Sequence, residues 1–288
     1  MPEFLHLLPP EEALHTWLAQ VQHRMPQETL ATSEALGRIL AADVHAPHDM
    51  PPFDRSAVDG YALRAADTYG ASDTLPAYLE VVGEVPMGAA PSFQIAPGQA
   101  ALIHTGGMLP QGADAVVMVE YTQHSREGEV EVLKAVAVGD NVIARGEDVA
   151  KGEVVLPAGT RLAAAEIGGL MALGVLEVPV AQRPKVGIIS SGDEVVPPEA
   201  DPAPGQVRDI NAYTLSAEVL RAGGVPKRYG IVPDQAEALA KVAAQALQEC
   251  DMVVVTAGSS ASTRDMTAEV LDGLGKPGVL VHGVNTKP

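Results

Sequence analysis

Three short stretches hold most of the side chains able to do chemistry. MPPFDRSAVDGYALR (50–64) brings Asp54, Ser56 and Asp59 into one turn-rich run. SSGDEVV (190–196) sets Asp193 beside Glu194, and TAGSSASTRD (256–265) leads small residues into Asp265. Adjacent carboxylates suit Mg²⁺, which takes one or two of them together with substrate phosphate oxygens. A Gly- and Ser-rich loop entering a helix offers backbone N–H groups to phosphate. An acid fixed in a pinned turn suits preorganised electrostatic or metal-assisted catalysis.

Each stretch also has a plainer structural account. Residues 50–64 could be a connection, since their apolar positions follow neither a period of two nor one of 3.6. A connection, however, has no need of Phe53, Val58 and Tyr61, which favour burial. Asp59-Gly60 reads as a tight turn, with glycine permitting positive φ. SSGDE is equally well a turn with exposed acids. TAGSSASTRD matches neither the P-loop nor the Rossmann fingerprint, and alone it reads better as a turn with helix-capping serines. His45, His48 and Asp49 lack further ligands at zinc-like spacing, so a surface turn is the better reading. Cys250 sits between a helix and an apolar strand, the place of a small core residue.

The surrounding elements must position these loops. Pro10-Glu11-Glu12 opens a helix with Leu14, Trp17, Leu18 and Val21 on one face, broken at Met25-Pro26. A second helix is expected after Ser33 as N-cap, with Leu36, Ile39 and Leu40 apolar. Val- and Ile-rich runs at 77–85, 100–105, 114–122 and 129–136, separated by Gly and Pro, predict a compact all-β module. Short strands and turns fill 145–162, and a helix over 164–175 ends near Gly174. From Arg183 the pattern alternates. Strands KVGIIS (185–190), VPKRYGIV (225–232) and MVVVT (252–256) alternate with helices from about Ala212, after Asp234 and from Asp265. Asp234 and Glu237 form a capping-box pattern. This alternation predicts a doubly wound parallel α/β domain, whose ligands bind beyond the carboxyl ends of the strands. Two of the three chemical stretches, 190–196 and 256–265, lie there.

Composition narrows the partners. The 288 residues carry a formal charge of −18, with 47% hydrophobic and 19% charged residues. Such a chain is globular, is no nucleic-acid binder and is repelled by anionic membrane surfaces. An anionic small substrate then needs a local basic pocket or a divalent cation. One cysteine precludes an internal disulfide, and with no signal peptide or membrane-length apolar run, a cytoplasmic protein is expected.

PPFDRSAVDGYALRAADT strongly resembles the signature of the molybdopterin molybdenumtransferase family, which comprises the bacterial MoeA proteins and the E domain of gephyrin; the family usually has Met where Val58 stands. HTGGMLPQGADAVVMVE (104–120), RGEDVAKGEVVLPAGTRL (145–162), ALGVLEVPVAQRPKVGIISSGDEVV (172–196), IVPD (231–234) and TAGSSASTRD follow in the family's order. The resemblance implies insertion of molybdenum from molybdate into adenylylated molybdopterin, with Mg²⁺ and release of AMP. It implies Asp59, Thr105 and Asp148 at the reacting end, and Asp193, Glu194 and Asp234 on the cation. Ser190, Gly192, Gly258, Ser260, Asp265 and Lys287 would hold the substrate, with Arg55 a further base for its phosphates.

The fold it implies is multidomain α+β and α/β. Residues 1–50 and 140–180 would form a discontinuous elongated domain with the N-terminal helices, 51–139 an inserted β module, and 181–288 the α/β domain. A homodimer is implied, with each site formed between the α/β domain of one subunit and the β module of the other. Molybdopterin adenylyltransferase and molybdoenzymes are the further partners it suggests. Two departures stand out. Ala257, Ser259 and Ser262 replace residues of the family's G-G-V-S-V-G loop, which implies altered phosphate geometry. The sequence ends at NTKP, within an expected K-P-G-K-P segment. The rest of the α/β domain and a C-terminal β-barrel domain therefore lie outside it, and reduced activity is expected. Two alternatives stay open: a non-catalytic scaffold of the gephyrin type, and a molybdopterin adenylyltransferase, which lacks the PPFDRSAVDGYA stretch.

Overall fold

The computed structural model describes residues 7–256 and 261–286, with the side chains of 261–266 left undescribed. The chain forms two compact units. One takes the chain up to Leu30, Gly37–Ala41 and the part from Pro179 onward; the other takes Ala31–Leu36 and Ala42–Val178.

Helix α1 (Pro10–Leu18) begins with prolines that need no intrahelical donor and with Glu11 and Glu12 in its first turn. Leu14, Trp17, Leu18 and Val21 are exposed, and in the helix itself only Ala13 is buried. Strand β1 (Gln27–Ala31) follows. The helix expected after Ser33 does not form: only a single 3₁₀ turn, Thr32–Glu34, stands there. Gly37 adopts φ 75°, which an α-helix cannot hold, and Leu40 instead bridges Val180. Arg38 donates to Ala181 O at 2.7 Å and pairs with Glu28.

In the second unit, β2 (Val44–His45) and β3 (Arg55–Ser56) lead to β4 (Gly60–Leu63), β5 (Ala77–Glu84), β6 (Gln99–Ile103), β7 (Ala115–Met118), β8 (Thr122–Gln123) and β9 (Glu129–Val132). These last six make one sheet in the order β7-β4-β6-β5-β9-β8. β10 (Val142–Ile143) pairs with β3, β11 (Val154–Leu156) pairs with β2, and α2 (Ala164–Ala172) ends before Gly174 at φ 69°. All four residues of β4 are buried, with Tyr61 and Leu63 in one apolar cluster and Ala62 in another. Both faces of the strand meet core, which is why the sequence shows no two-residue alternation there.

β12 (Glu177–Ala181) pairs with β1 and leads into the rest of the first unit. β13 (Lys185–Ser191) is followed by the parallel bridge of β14 (Val195–Val196) with β15 (Val207–Arg208), then α3 (Asn211–Ala222), β16 (Val225–Val232), α4 (Ala236–Glu249), β17 (Met252–Thr256) and α5 (Ala261–Gly273). The parallel sheet runs β16-β13-β17, and its central strand is buried from Val186 to Ser191. The α3 helix stops at Gly223 in the left-handed region, φ 92°. Leu239, Ala243 and Ala246 of α4 cover Ile189 and Val232. At 25–30 cal/mol per Å², each such Leu or Ile contributes about 1.5–3 kcal/mol. The mixed α+β and α/β architecture expected from the sequence is borne out.

Candidate functional site

The turn ahead of β4 is built by backbone pairing on both sides. Ser56 N–H donates to Gly107 O at 2.9 Å, Gly106 N–H donates to Ser56 O at 2.8 Å, and Val119 N–H donates to Asp59 O at 3.1 Å. Gly60 is required here, for a reason other than positive φ. A β-carbon on it would lie 1.8 Å from Val117 O, because β7 runs close beside it. The glycine admits a neighbouring strand and does not set a turn conformation.

The three candidate side chains of this stretch, Asp54, Ser56 and Asp59, differ in what holds them. Ser56 is 1% exposed, and its Oγ donates to Val58 O at 2.5 Å while accepting the Val58 N–H. Asp54 Oδ1 accepts the Arg145 N–H at 2.7 Å, which fixes the following loop. Asp59 is exposed, with Oδ1 accepting both the Thr105 N–H at 2.7 Å and its hydroxyl at 3.1 Å. Those two hydrogen bonds, the backbone one first, hold the Asp59 carboxyl below the usual carboxylate range, and the charge of His104 adds to them. The structure thus brings Asp59 and Thr105 together and commits the Ser56 hydroxyl to its own turn, while Asp54 is exposed with one oxygen on the Arg145 N–H. Asp148 is exposed, with its N–H on Met50 O at 3.0 Å and no side-chain partner among the described residues.

Two residues beside this pair escaped the sequence reading. His104 Nε2 lies 2.9 Å from Glu84 Oε1, and its Nδ1 is 3.9 Å from Asp59 Oδ1. Neither pairing leaves a local motif, since the partners are 20 and 45 positions apart. Nearby, Arg55 Nε is buried without a hydrogen-bond partner among the described residues. His45 and His48 contact backbone carbonyls, and Asp49 accepts from Lys151 N–H and Arg145 Nε. The Lys151 N–H is the main cause that lowers the Asp49 pKa. No group of three metal-ligating side chains forms there or elsewhere among the described residues.

The parallel sheet presents a second polar set at its carboxyl edge. Ser191 is in register with Val232 and Ser190 with Thr256, so three strand ends emerge together. Ser190 Oγ donates to Asp209 Oδ2 at 2.7 Å, and Asp209 Oδ1 accepts the Ala212 N–H at 3.1 Å. Ser191 Oγ donates to Asp234 Oδ1 at 2.7 Å, and the Asp234 N–H donates to Asp193 Oδ1 at 3.2 Å. The capping box expected of Asp234 and Glu237 does not form. Helix α4 has Gln235 at its N-cap without a side-chain bond, because Asp234 turns to Ser191. Gly192, φ 149°, leaves space where a β-carbon would meet Glu194 Oε2 at 2.8 Å. Asp209, 7% exposed, is the residue the sequence reading missed; its place before α3 is the only signal for it.

Asp193 and Glu194 are exposed and Asp234 is half-buried. Asp193 and Asp234 come together and Glu194 stands next in the loop, without forming a closed cage. An oxygen-only set with one or two carboxylates fits Mg²⁺, which completes its shell with water and substrate phosphate. Gly258, Ser260 and Lys287 lie outside the described residues, as does the side chain of Asp265 in α5.

The comparisons with known proteins match both halves of this description. A model of the MoeA N-terminal region (domain I and II) matches residues 8–174. The chain belongs to the MoeA family. A second model, the probable molybdopterin binding domain, matches 187–288, which includes the parallel sheet. A molybdopterin molybdenumtransferase of Bacillus subtilis is 34% identical over 284 residues, 98% of this chain and 66% of that protein. One from Nostoc sp. is 39% identical over 254 residues, 88% and 58% respectively. The molybdopterin biosynthesis MoeA protein of Pyrococcus horikoshii has a similar crystal structure, with a TM-score of 0.80 and 39% identity over 86% of this chain and 66% of that one. The chain thus spans somewhat less than two thirds of the length of these relatives. Among the described residues no helix is long and apolar enough to cross a membrane.

Proposed function

We propose that this chain works in molybdenum cofactor biosynthesis as a molybdenum-inserting transferase. It would take adenylylated molybdopterin and molybdate and release AMP. The observation that carries this reading is the Asp59–Thr105 pair: an exposed carboxylate with one oxygen saturated by two donors and the other open. Preorganised charge of this kind acts on a reacting centre without reorienting during the reaction. The relatives named molybdopterin molybdenumtransferase support the same chemistry and do not favour the scaffold or adenylyltransferase alternatives.

The polar edge of the parallel sheet is the proposed nucleotide side. Asp193 and Asp234 would hold Mg²⁺, which supplies charge neutralisation at the phosphates, whereas among the described residues Glu194 does not group with them into a three-ligand set. Ser190 and Ser191 keep the loop in place through Asp209 and Asp234. Asp59 would act at the reacting end, with Thr105 orienting it, and Asp148 would be the second acid there. Arg55, whose Nε has no protein partner among the described residues, is a base for the substrate's anionic groups.

A homodimer would unite the two sets of acids if the α/β unit of one subunit met the β module of its partner. Mixing Asp59→Asn with Asp234→Asn protein tests this. Two inactive variants sharing composite sites should recover about a quarter of wild-type activity, since half of the dimers are mixed and each mixed dimer has one intact site. No recovery after subunit exchange would place each site within one chain. The reading as a whole is tested by incubating the protein with adenylylated molybdopterin and Mg²⁺, with and without molybdate. AMP release that depends on molybdate is expected. Binding without release would overturn the transferase reading.

A further inference from the structure

We infer that His104 is a positioning residue for Asp59, braced by Glu84, and that its protonation makes the hold on Asp59 depend on pH. The inference rests on the assignment of Asp59 to the reacting end.

The topology brings the three side chains to one end of the sheet. Asp59 immediately precedes β4, whose Gly60 pairs with Ile103 at the end of β6. His104 is the next residue. Glu84 closes β5 and is in register with Leu102. The backbone of His104 is itself fixed, because the Gly107 N–H donates to its carbonyl at 2.8 Å, and a β-carbon on Gly107 would lie 2.9 Å from that oxygen. The ring therefore stands between two carboxylates on a rigid base, with Nε2 2.9 Å from Glu84 Oε1 and Nδ1 3.9 Å from Asp59 Oδ1.

The two protonation states differ in what they offer Asp59. A neutral ring that gives its Nε2–H to Glu84 turns the Nδ1 lone pair toward a carboxylate, which is repulsive. An imidazolium keeps the Glu84 bond and presents an N–H to Asp59. It then adds positive charge to the oxygen that Thr105 already binds twice. Among the described residues His104 and Asp59 form no further ion pair. Glu120, just past β7, forms no ion pair among the described residues, and Tyr61 on β4 is turned to His124, 2.8 Å away. All three side chains are at least 42% exposed, so the pair adds little to fold stability. Its effect falls on the direction and charge of Asp59. The support to Asp59 is therefore gained when the ring takes up a proton and lost when it releases it.

The test uses the full chain and two readouts. The amide resonance of Thr105, compared with the same resonance in Asp59→Asn to remove the direct effect of the adjacent His104, reports the bond to Asp59. In wild type it should change with pH in a single step. His104→Gln should remove that step, while the control His124→Gln should leave it. Glutamine can still donate one N–H to Glu84, so a purely structural role would survive the change. A wild-type amide with no such step, or a step that persists in His104→Gln, overturns the inference. The second readout is the pH profile of AMP release. Removing the imidazolium should slow release about fivefold below neutral pH and leave it unchanged at alkaline pH. An equal loss at every pH would reduce His104 to a packing role and also overturn the inference. A wild type that releases no AMP would instead count against the transferase reading, and the amide titration would still judge the coupling.

Discussion

The turn before β4 and the loops at the carboxyl edge of β13 both carry acids, and they use them in opposite ways. In the β module the turn is held by main-chain bonds together with the Ser56 hydroxyl and the Asp54 carboxylate, and the Asp59 side chain is not needed for it. Ser56, Gly106 and Val119 fix the turn through main-chain bonds, leaving Asp59 exposed with one oxygen uncommitted. At the sheet edge the side chains do the structural work. Ser190 and Ser191 are nearly fully buried, and each hydroxyl is committed to a carboxylate, Asp209 or Asp234. A carboxylate held by buried partners costs stability when removed, whereas one held over solvent costs function. The comparison therefore separates two kinds of damage that mutation can do.

The sharpest break should come from Asp59→Asn. It keeps the shape and can still accept from Thr105, so stability should stay close to that of wild type. AMP release should fall by about 100-fold or more, because charge at a preorganised site is lost. Denaturant melts beside a rate assay check both halves of this statement. Asp209→Ala should do the reverse. It strands the Ser190 hydroxyl and the Ala212 N–H in a buried place, costing about 1–3 kcal/mol in a urea titration. Gly60→Ala tests the frame of the open site. With Val117 O in the way, β4 and β7 must separate, at a cost of about 2–4 kcal/mol, seen as a lower melting temperature.

Smaller effects refine the contrast. Thr105→Val removes the hydroxyl donor and keeps the N–H, so the Asp59 carboxyl should titrate at higher pH than in wild type but still below the ordinary range, read by carbonyl NMR. Away from both sites, Lys227, Tyr229 and Gln245 donate to Glu249, with Lys227 the largest cause, and bring its pKa down to about 2. The folded pKa is the lower one. Glu249 therefore contributes stability above its unfolded value near 4.5, and that contribution is lost as pH falls toward 2. Glu249→Gln should flatten the acid limb of stability against pH over that window.

Much of this was legible in the sequence, and the misses have physical causes. KVGIIS read as a strand covered on both faces because continuous Val and Ile leave no polar side to expose, and Val186–Ser191 is buried as a block. Gly174 and Gly223 both end helices, where left-handed φ needs glycine. Residues 33–40 have helical spacing, yet Leu40 bridges Val180, a contact 140 positions away that no local pattern records. Asp234 has the right spacing for a cap, but a buried hydroxyl on Ser191 takes its carboxylate. Gly60 read as a turn glycine because the approach of Val117 is invisible in a linear chain. Asp59 and Thr105 were legible through motif resemblance, whereas Glu84 and His104, which meet only through strand pairing, were not.

The most direct measurement is molybdate-dependent AMP release by wild type and Asp59→Asn, each with its affinity for adenylylated molybdopterin determined alongside. Wild type should release AMP only when molybdate and Mg²⁺ are both added, and Asp59→Asn should bind with similar affinity yet release it about 100-fold more slowly. Release by Asp59→Asn at the wild-type rate would contradict the account, because the open carboxylate before β4 would then have no part in the reaction.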